Sequence, residues 1–275
     1  MAFRTPEAAE EWSAIVEAFL QRHVEAAGAK GVMVGMSGGL DSAVVAALAA
    51  RALGKRAVVP VLMPAPDSNP RDLRDGRLVC RALGLKPLER PIGPLIEGLG
   101  RVLGRRPSAV ASGNAKARAR MTVLYAEAQA RGFLVCGTGN KSELLTGYFT
   151  KHGDGGVDLQ PIGDLYKTQV RELARFLKIP PSIVRKPPSA GLRPGQTDEG
   201  ELGVTYADLD RILRGIELNQ GVVEIVRRTG LPRARVAKVE RMVRRTEHKR
   251  QTPRIPKVGP RTVGIDWRRS VHWDG

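Results

Sequence analysis

The residues best placed to do chemistry together are Gly35, Met36, Ser37, Gly38, Gly39, Leu40, Asp41 and Ser42, which lie between an apolar strand-like run and an apolar helical run. Glycines in such a turn let backbone N–H groups approach an anion closely. The start of the helix behind them adds the positive end of its dipole. Ser37 and Ser42 supply hydroxyl donors, and Asp41 places a carboxylate among them. A carboxylate beside phosphate oxygens makes sense chiefly when Mg2+ bridges the two. The GxxxxGK[ST] pattern is absent, so this is not a Walker loop. An ordinary glycine-rich strand-to-helix turn would share the glycines, but the Asp-Ser pair in this setting favours nucleotide binding.

Such a loop needs a strand before it and a helix after it. The apolar run 31–36 and the helical stretch 42–53 fill those places. Upstream, Thr5 and Pro6 read as a helix start. Trp12, Ile15, Val16, Phe19, Leu20 and Val24 then recur at helical spacing, with Gly28 as the stop. Downstream, the pattern predicts a strand over 57–63, a helix over 72–83, a short strand over 87–92, a long helix over 114–131 and a strand over 133–136. This alternation implies an α/β fold, a parallel sheet with helices on both faces. Residues 148–164 read as loop and 168–177 as helix. The stretch 186–203 is polar and rich in Pro and Gly, the kind of long loop that is usually mobile and functional, or disordered. Helices are predicted over 206–216, 222–228 and 233–245, followed by an unassigned tail, 252–275, that holds Trp267 and Trp273.

With 275 residues, 42% of them hydrophobic, the chain can build one large domain with its own core. No apolar run approaches the ~20 residues that cross a membrane. The first residues lack a basic-then-apolar leader pattern, so a cytoplasmic location is expected. Cys80 and Cys136 sit in apolar stretches without a CxxC or Cys/His cluster, which suits buried reduced thiols better than a zinc site. The net charge of +17 is compatible with an Arg-rich surface, a small polyanionic substrate or nucleic acid, and does not by itself choose.

The segment SGGLDS resembles the pyrophosphate-binding (PP) loop of the ATP pyrophosphatase superfamily, whose members split ATP to AMP and pyrophosphate while adenylating a substrate oxygen. Four further segments resemble the NAD synthetases within it: KARARM from Lys116, GTGNKSELLTGYFTKHGDGGVDLQPIGDLYKTQV from Gly137, KPPSAGLRPGQTDEGELGVTY from Lys186 and TEHKRQTP from Thr246. The likeness runs from about residue 31 to 253. It implies an adenine nucleotide alpha-hydrolase-like, Rossmann-like fold in a single synthetase domain. The implied reaction joins deamido-NAD, ATP and ammonia into NAD, AMP and pyrophosphate through an adenylated intermediate. No glutaminase domain is found in these 275 residues, which points to free ammonia or ammonia from a separate protein.

The resemblance also assigns roles. Asp41 and Glu143 match the Mg2+ pair. Loop residues 35–42, Thr138, Lys167 and Ser189 match ATP-contacting positions, with Lys167 on the phosphates. Arg118, Lys151, Asp158, His248 and Lys249 match deamido-NAD positions, Arg118 being read on a basic helix face near Lys116. Asp158 is also a candidate to position or deprotonate ammonium. A homodimer with the dinucleotide site at its interface is expected. A tRNA-modifying PP-loop enzyme, which the charge would suit, and a non-catalytic nucleotide-binding protein are the rival readings. The absence of CxxC and the EHKR and GDGG segments argue against the first, and intact Asp41, Glu143 and Lys167 against the second.

Overall fold

A computed structural model describes residues 6–105, 107–191 and 195–267. Strands β1 (Val32–Gly35), β2 (Val58–Leu62), β3 (Leu88–Glu89) and β4 (Leu134–Cys136) form a parallel sheet in the order β3-β2-β1-β4. Val32 pairs with Val58 on one side and Leu134 on the other. Strand β1 is central and covered on both faces, which is why it reads as a continuous apolar run. Its side chains still alternate: Val32 and Val34 enter one apolar cluster and Met33 the other.

The helices are α1 (Pro6–Ala26), α2 (Leu40–Leu53), α3 (Pro70–Leu83), α4 (Gly93–Leu103), α5 (Ala109–Arg131), α6 (Lys141–Thr146), α7 (Lys167–Phe176), α8 (Pro181–Val184), α9 (Asp198–Leu202), α10 (Tyr206–Glu217), α11 (Val222–Thr229) and α12 (Arg233–Arg245). Helices α1, α2, α3, α7 and α8 pack on one sheet face. Helices α4 and α5 cover the other. A separate apolar cluster, with Tyr206, Leu209, Ile212, Ile225 and Val236 buried in it, joins α9–α12. The chain leaves β1 toward β2 and β3, then returns to β4 on the opposite side. The crevice beyond the carboxyl ends of β1 and β4 is therefore the topological switch point, where parallel sheets place their ligands.

The predicted strand over 87–92 shrinks to two residues, because Pro87 and Pro91 flank it and lack ladder N–H groups. Helices α4, α6 and α8 were not predicted, and α9 lies inside the stretch predicted as loop. Thr5 and Trp273 lie outside the described residues. The described part of the tail, 252–267, contains no helix and no named strand. Cys80 and Cys136 are both free and buried. Among the described residues, no helix is long and apolar enough to cross a membrane.

Candidate active site

The loop from β1 to α2 is shaped by its glycines. Gly38 has φ +75°, and a Cβ there would meet the Asp72 carbonyl oxygen at 2.2 Å. Both the conformation and the close approach of α3 therefore require glycine. Gly39 caps α2 without a side-chain bond, so the first N–H groups of that helix stay open to an anion. Ser42 donates to the Gly39 carbonyl at 3.1 Å and lies 3.1 Å from the Ser37 hydroxyl, which accepts from Gly39 N–H.

Opposite the loop, Asn140 and Glu143 start α6 with a reciprocal cap. The Asn140 side chain accepts from Glu143 N–H at 3.0 Å, and the Glu143 carboxylate accepts from Asn140 N–H at 3.1 Å. Asn140 also donates to Asp41 at 3.3 Å. Lys167, the first residue of α7, closes the arrangement: its ammonium pairs with Asp41 and lies 3.6 Å from Glu143. The ammonium also sits 5.3 Å from the centroid of the buried Tyr206 ring. Three helix starts thus converge on one buried cation and two carboxylates. Burial, then the Asp41 charge, push the Glu143 carboxyl up to about 8. Burial alone would lower Lys167, but Asp41 and Glu143 outweigh it and hold the ammonium above its ordinary value. Two carboxylates that share one lysine, one of them reluctant to ionise, fit a place where further positive charge is welcome.

These groups line a cavity of about 1200 Å³ together with Thr138 and Ser189. Ser189 donates to the Gln196 carbonyl at 2.7 Å, and Asp198 accepts from Ala190 N–H and from the Tyr206 hydroxyl. The segment after Lys186 is thereby folded back onto the site. Lys186 anchors its near end, donating to the Gly38 carbonyl at 3.0 Å and pairing with Asp72 at 2.8 Å and Asp75 at 2.6 Å.

Of the residues matched to deamido-NAD, all but Lys249 fall outside the lining of this cavity. Arg118 donates to the Lys151 carbonyl and Lys151 to the His248 carbonyl, a chain that does not line the cavity. Lys249 does line it, and donates to the Gly147 and Phe149 carbonyls. Both Asp158 oxygens accept a hydrogen bond, from the Tyr125 hydroxyl at 3.0 Å and from Val135 N–H at 2.7 Å, which leaves one lone pair on each. Lys116 does not share a basic face with Arg118. It is buried against Asp67, because residues two apart on a helix point in different directions. Sequence reasoning missed Asp210, Tyr206, Asp198, Lys186, Arg120 and Arg171. Arg171 had a local signal, standing four residues after Lys167 on the same helix. The others are brought in by distant packing.

Fold and loop define a PP-loop α/β protein, with the loop at the switch point. Residues 12–253 match the NAD synthase family, and the chain belongs to it. The NH(3)-dependent NAD(+) synthetase of Methanocaldococcus jannaschii is 43% identical over 243 residues, 87% of this chain and 94% of that protein. That of Thermococcus kodakarensis is 45% identical over 246 residues, 89% and 94% of the two chains. Among solved structures, an NMN synthetase from Francisella tularensis superposes with a TM-score of 0.82 at 33% identity, covering 92% of this chain and 99% of that one. An NH3-dependent NAD synthetase from Campylobacter jejuni gives 0.77 at 30%, covering 90% and 99%.

Proposed function

We propose that this protein is an ammonia-dependent NAD synthetase, and that the reaction runs in two steps at the cavity between β1 and β4. The nicotinic acid carboxylate of deamido-NAD attacks the α-phosphate of ATP, and the bond to pyrophosphate breaks. Ammonia then attacks the adenylated carbonyl, its nitrogen gives up a proton to water, and AMP leaves with the bonding electrons. The observation that carries this reading is Lys167 held between Asp41 and Glu143 beside an anion-binding loop.

The open start of α2 and the hydroxyls of Ser37 and Ser42 hold the phosphates. Lys167 offsets charge on the α-phosphate. Asp41 and Glu143 would hold Mg2+ together with ATP oxygens, the usual way this ion is bound, and it would supply charge to the departing pyrophosphate. Thr138 and Ser189 contact ATP. The segment after Lys186 excludes water from the hydrolysable adenylate. No covalent protein nucleophile is required. Arg118, Lys151, Asp158, His248 and Lys249 serve the dinucleotide, and their place outside or at the edge of the cavity supports a site completed by a second copy of the chain. The exposed apolar side chains of α4, Leu95, Leu99, Val102 and Leu103, supply a surface for such a homodimer. The enzyme is assigned to the cytoplasm.

The test measures AMP and pyrophosphate release from ATP and Mg2+, with and without deamido-NAD and ammonium. Release that needs deamido-NAD, with NAD formed only when ammonium is present, is the expected result. A parallel assay with nicotinic acid mononucleotide, the carboxylate whose amidation would give the NMN of the Francisella protein's name, tests the alternative acceptor, and faster turnover of that compound would replace the dinucleotide.

A further inference from the structure

Arg171 lies one helical turn after Lys167 on α7 and lines the same cavity. Helical side chains tend to lean toward the helix N-terminus, and Lys167 stands at that end of α7. Its Nε is buried and has no hydrogen-bond partner. The other cations lining the cavity among the described residues are all engaged by protein. Arg71 faces Asp75 at 3.9 Å, Arg120 donates to the Met63 carbonyl at 3.1 Å, and Lys167 holds Asp41 and Glu143. Lys186 holds Asp72 and Asp75, and Lys249 binds two carbonyls. Arg171 alone makes no hydrogen bond or ion pair to any described residue.

A guanidinium offers five N–H donors in a planar fork that matches two phosphate oxygens. Buried polar groups are nearly always partnered, and an exception asks for a ligand. The carboxylates nearest the loop are already claimed by Lys167. Helix α7 packs against α2, whose open start lies on the loop, and Arg171 lines the cavity that the loop also lines.

We propose that Arg171 binds the β,γ-diphosphate end of ATP and holds it as the leaving pyrophosphate. This rests on the ATP-ligase reading above. When the carboxylate oxygen forms its bond to the α-phosphorus, the electrons of the breaking P–O bond stay on the oxygen that had bridged the α- and β-phosphates, which leaves as a terminal oxygen of pyrophosphate. The fork meets the charge that develops on that group.

The test compares the unaltered protein with Arg171→Met and Arg171→Lys, titrating pyrophosphate and, separately, AMP in the presence of Mg2+ by calorimetry. Arg171→Met is expected to weaken pyrophosphate about tenfold or more while leaving AMP within about twofold, with Arg171→Lys between. The KM for ATP should rise in step, and the unliganded melting temperature should not fall. Equal pyrophosphate binding by Arg171→Met, an equal loss of AMP and pyrophosphate, or unfolding of Arg171→Met would each overturn the assignment. Pyrophosphate and AMP binding do not depend on the acceptor. A protein that binds both but never makes NAD would sink the synthetase reading and leave this one standing.

Discussion

Ser142 on α6 donates a 2.5 Å hydrogen bond to Asp210 on α10, across 68 residues of chain. The same pair receives two N–H groups from the start of α7: Lys167 donates to the Ser142 hydroxyl at 3.0 Å and Thr168 to Asp210 at 2.9 Å. A helix leaves its first N–H groups without internal partners, so side chains from two other helices decide where α7 begins, and with it where Lys167 stands. Asp210→Ala leaves a buried hydroxyl and a helix N–H unpaired. It should cost about 1–3 kcal/mol of stability in urea unfolding and lower turnover. Asp210→Asn keeps an acceptor and should recover much of both. If Asp210→Ala unfolds and turns over like the parent, the pair does not set the register of α7.

Asp41 is held by Asn140 as well as Lys167. Asp41→Asn keeps the shape and removes the charge, so the fold should survive by circular dichroism. Pyrophosphate release should fall by about 10²-fold or more. Near-normal release would remove Asp41 from the proposed metal pair.

Burial, and then the Asp41 charge, push the Glu143 carboxyl up from an ordinary 4.5 to about 8. Between those values the folded protein keeps a proton that the unfolded chain has lost. The contribution of this group is therefore present below 4.5 and declines as pH rises toward 8. Urea unfolding of the nucleotide-free protein at about pH 6 and about pH 8.5 should show this decline, and Glu143→Gln should flatten it. Parallel profiles for the two proteins would show that Glu143 ionises normally.

The apolar face of α4 predicts a concentration-dependent dimer. Val102 is 84% exposed, too apolar and too open to be explained by the chain's own core. Leu99→Lys combined with Val102→Lys should shift the mass measured by light scattering to that of a monomer. A dimer unaffected by this double substitution would place the interface elsewhere.

Burial pushes the Cys80 thiol up to about 11 and raises Cys136 further. Both should resist iodoacetamide in the native protein near neutral pH and react after denaturation, as read by intact mass. Rapid native labelling of either would mean that its cover opens readily.

Much of the site was legible because its signals are local. The glycines of 38–39 act within a few residues, which made the β1–α2 loop legible; the Asn140–Glu143 cap and the Asn69-Pro70 start of α3 are equally local signals that went unread. Helix α4 was missed because Gly93, Gly98, Gly100 and Pro94 dilute its pattern, and much of its apolar side faces outward rather than into the core. Helix α9 spans five residues, too few for periodicity. Asp210 reads simply as a polar residue of an amphipathic helix. Its role appears only when α6 and α7 are packed beside it.

The contact between Lys186 and Gly38 joins residues 148 positions apart. During synthesis the β1–α2 turn leaves the ribosome long before the lysine that braces it. A nascent chain can form that turn early, yet its far anchor arrives only after two-thirds of the protein has been made. A chain that stops short of residue 186 therefore lacks this brace on the loop, and on the proposed reading would hold ATP phosphates less firmly.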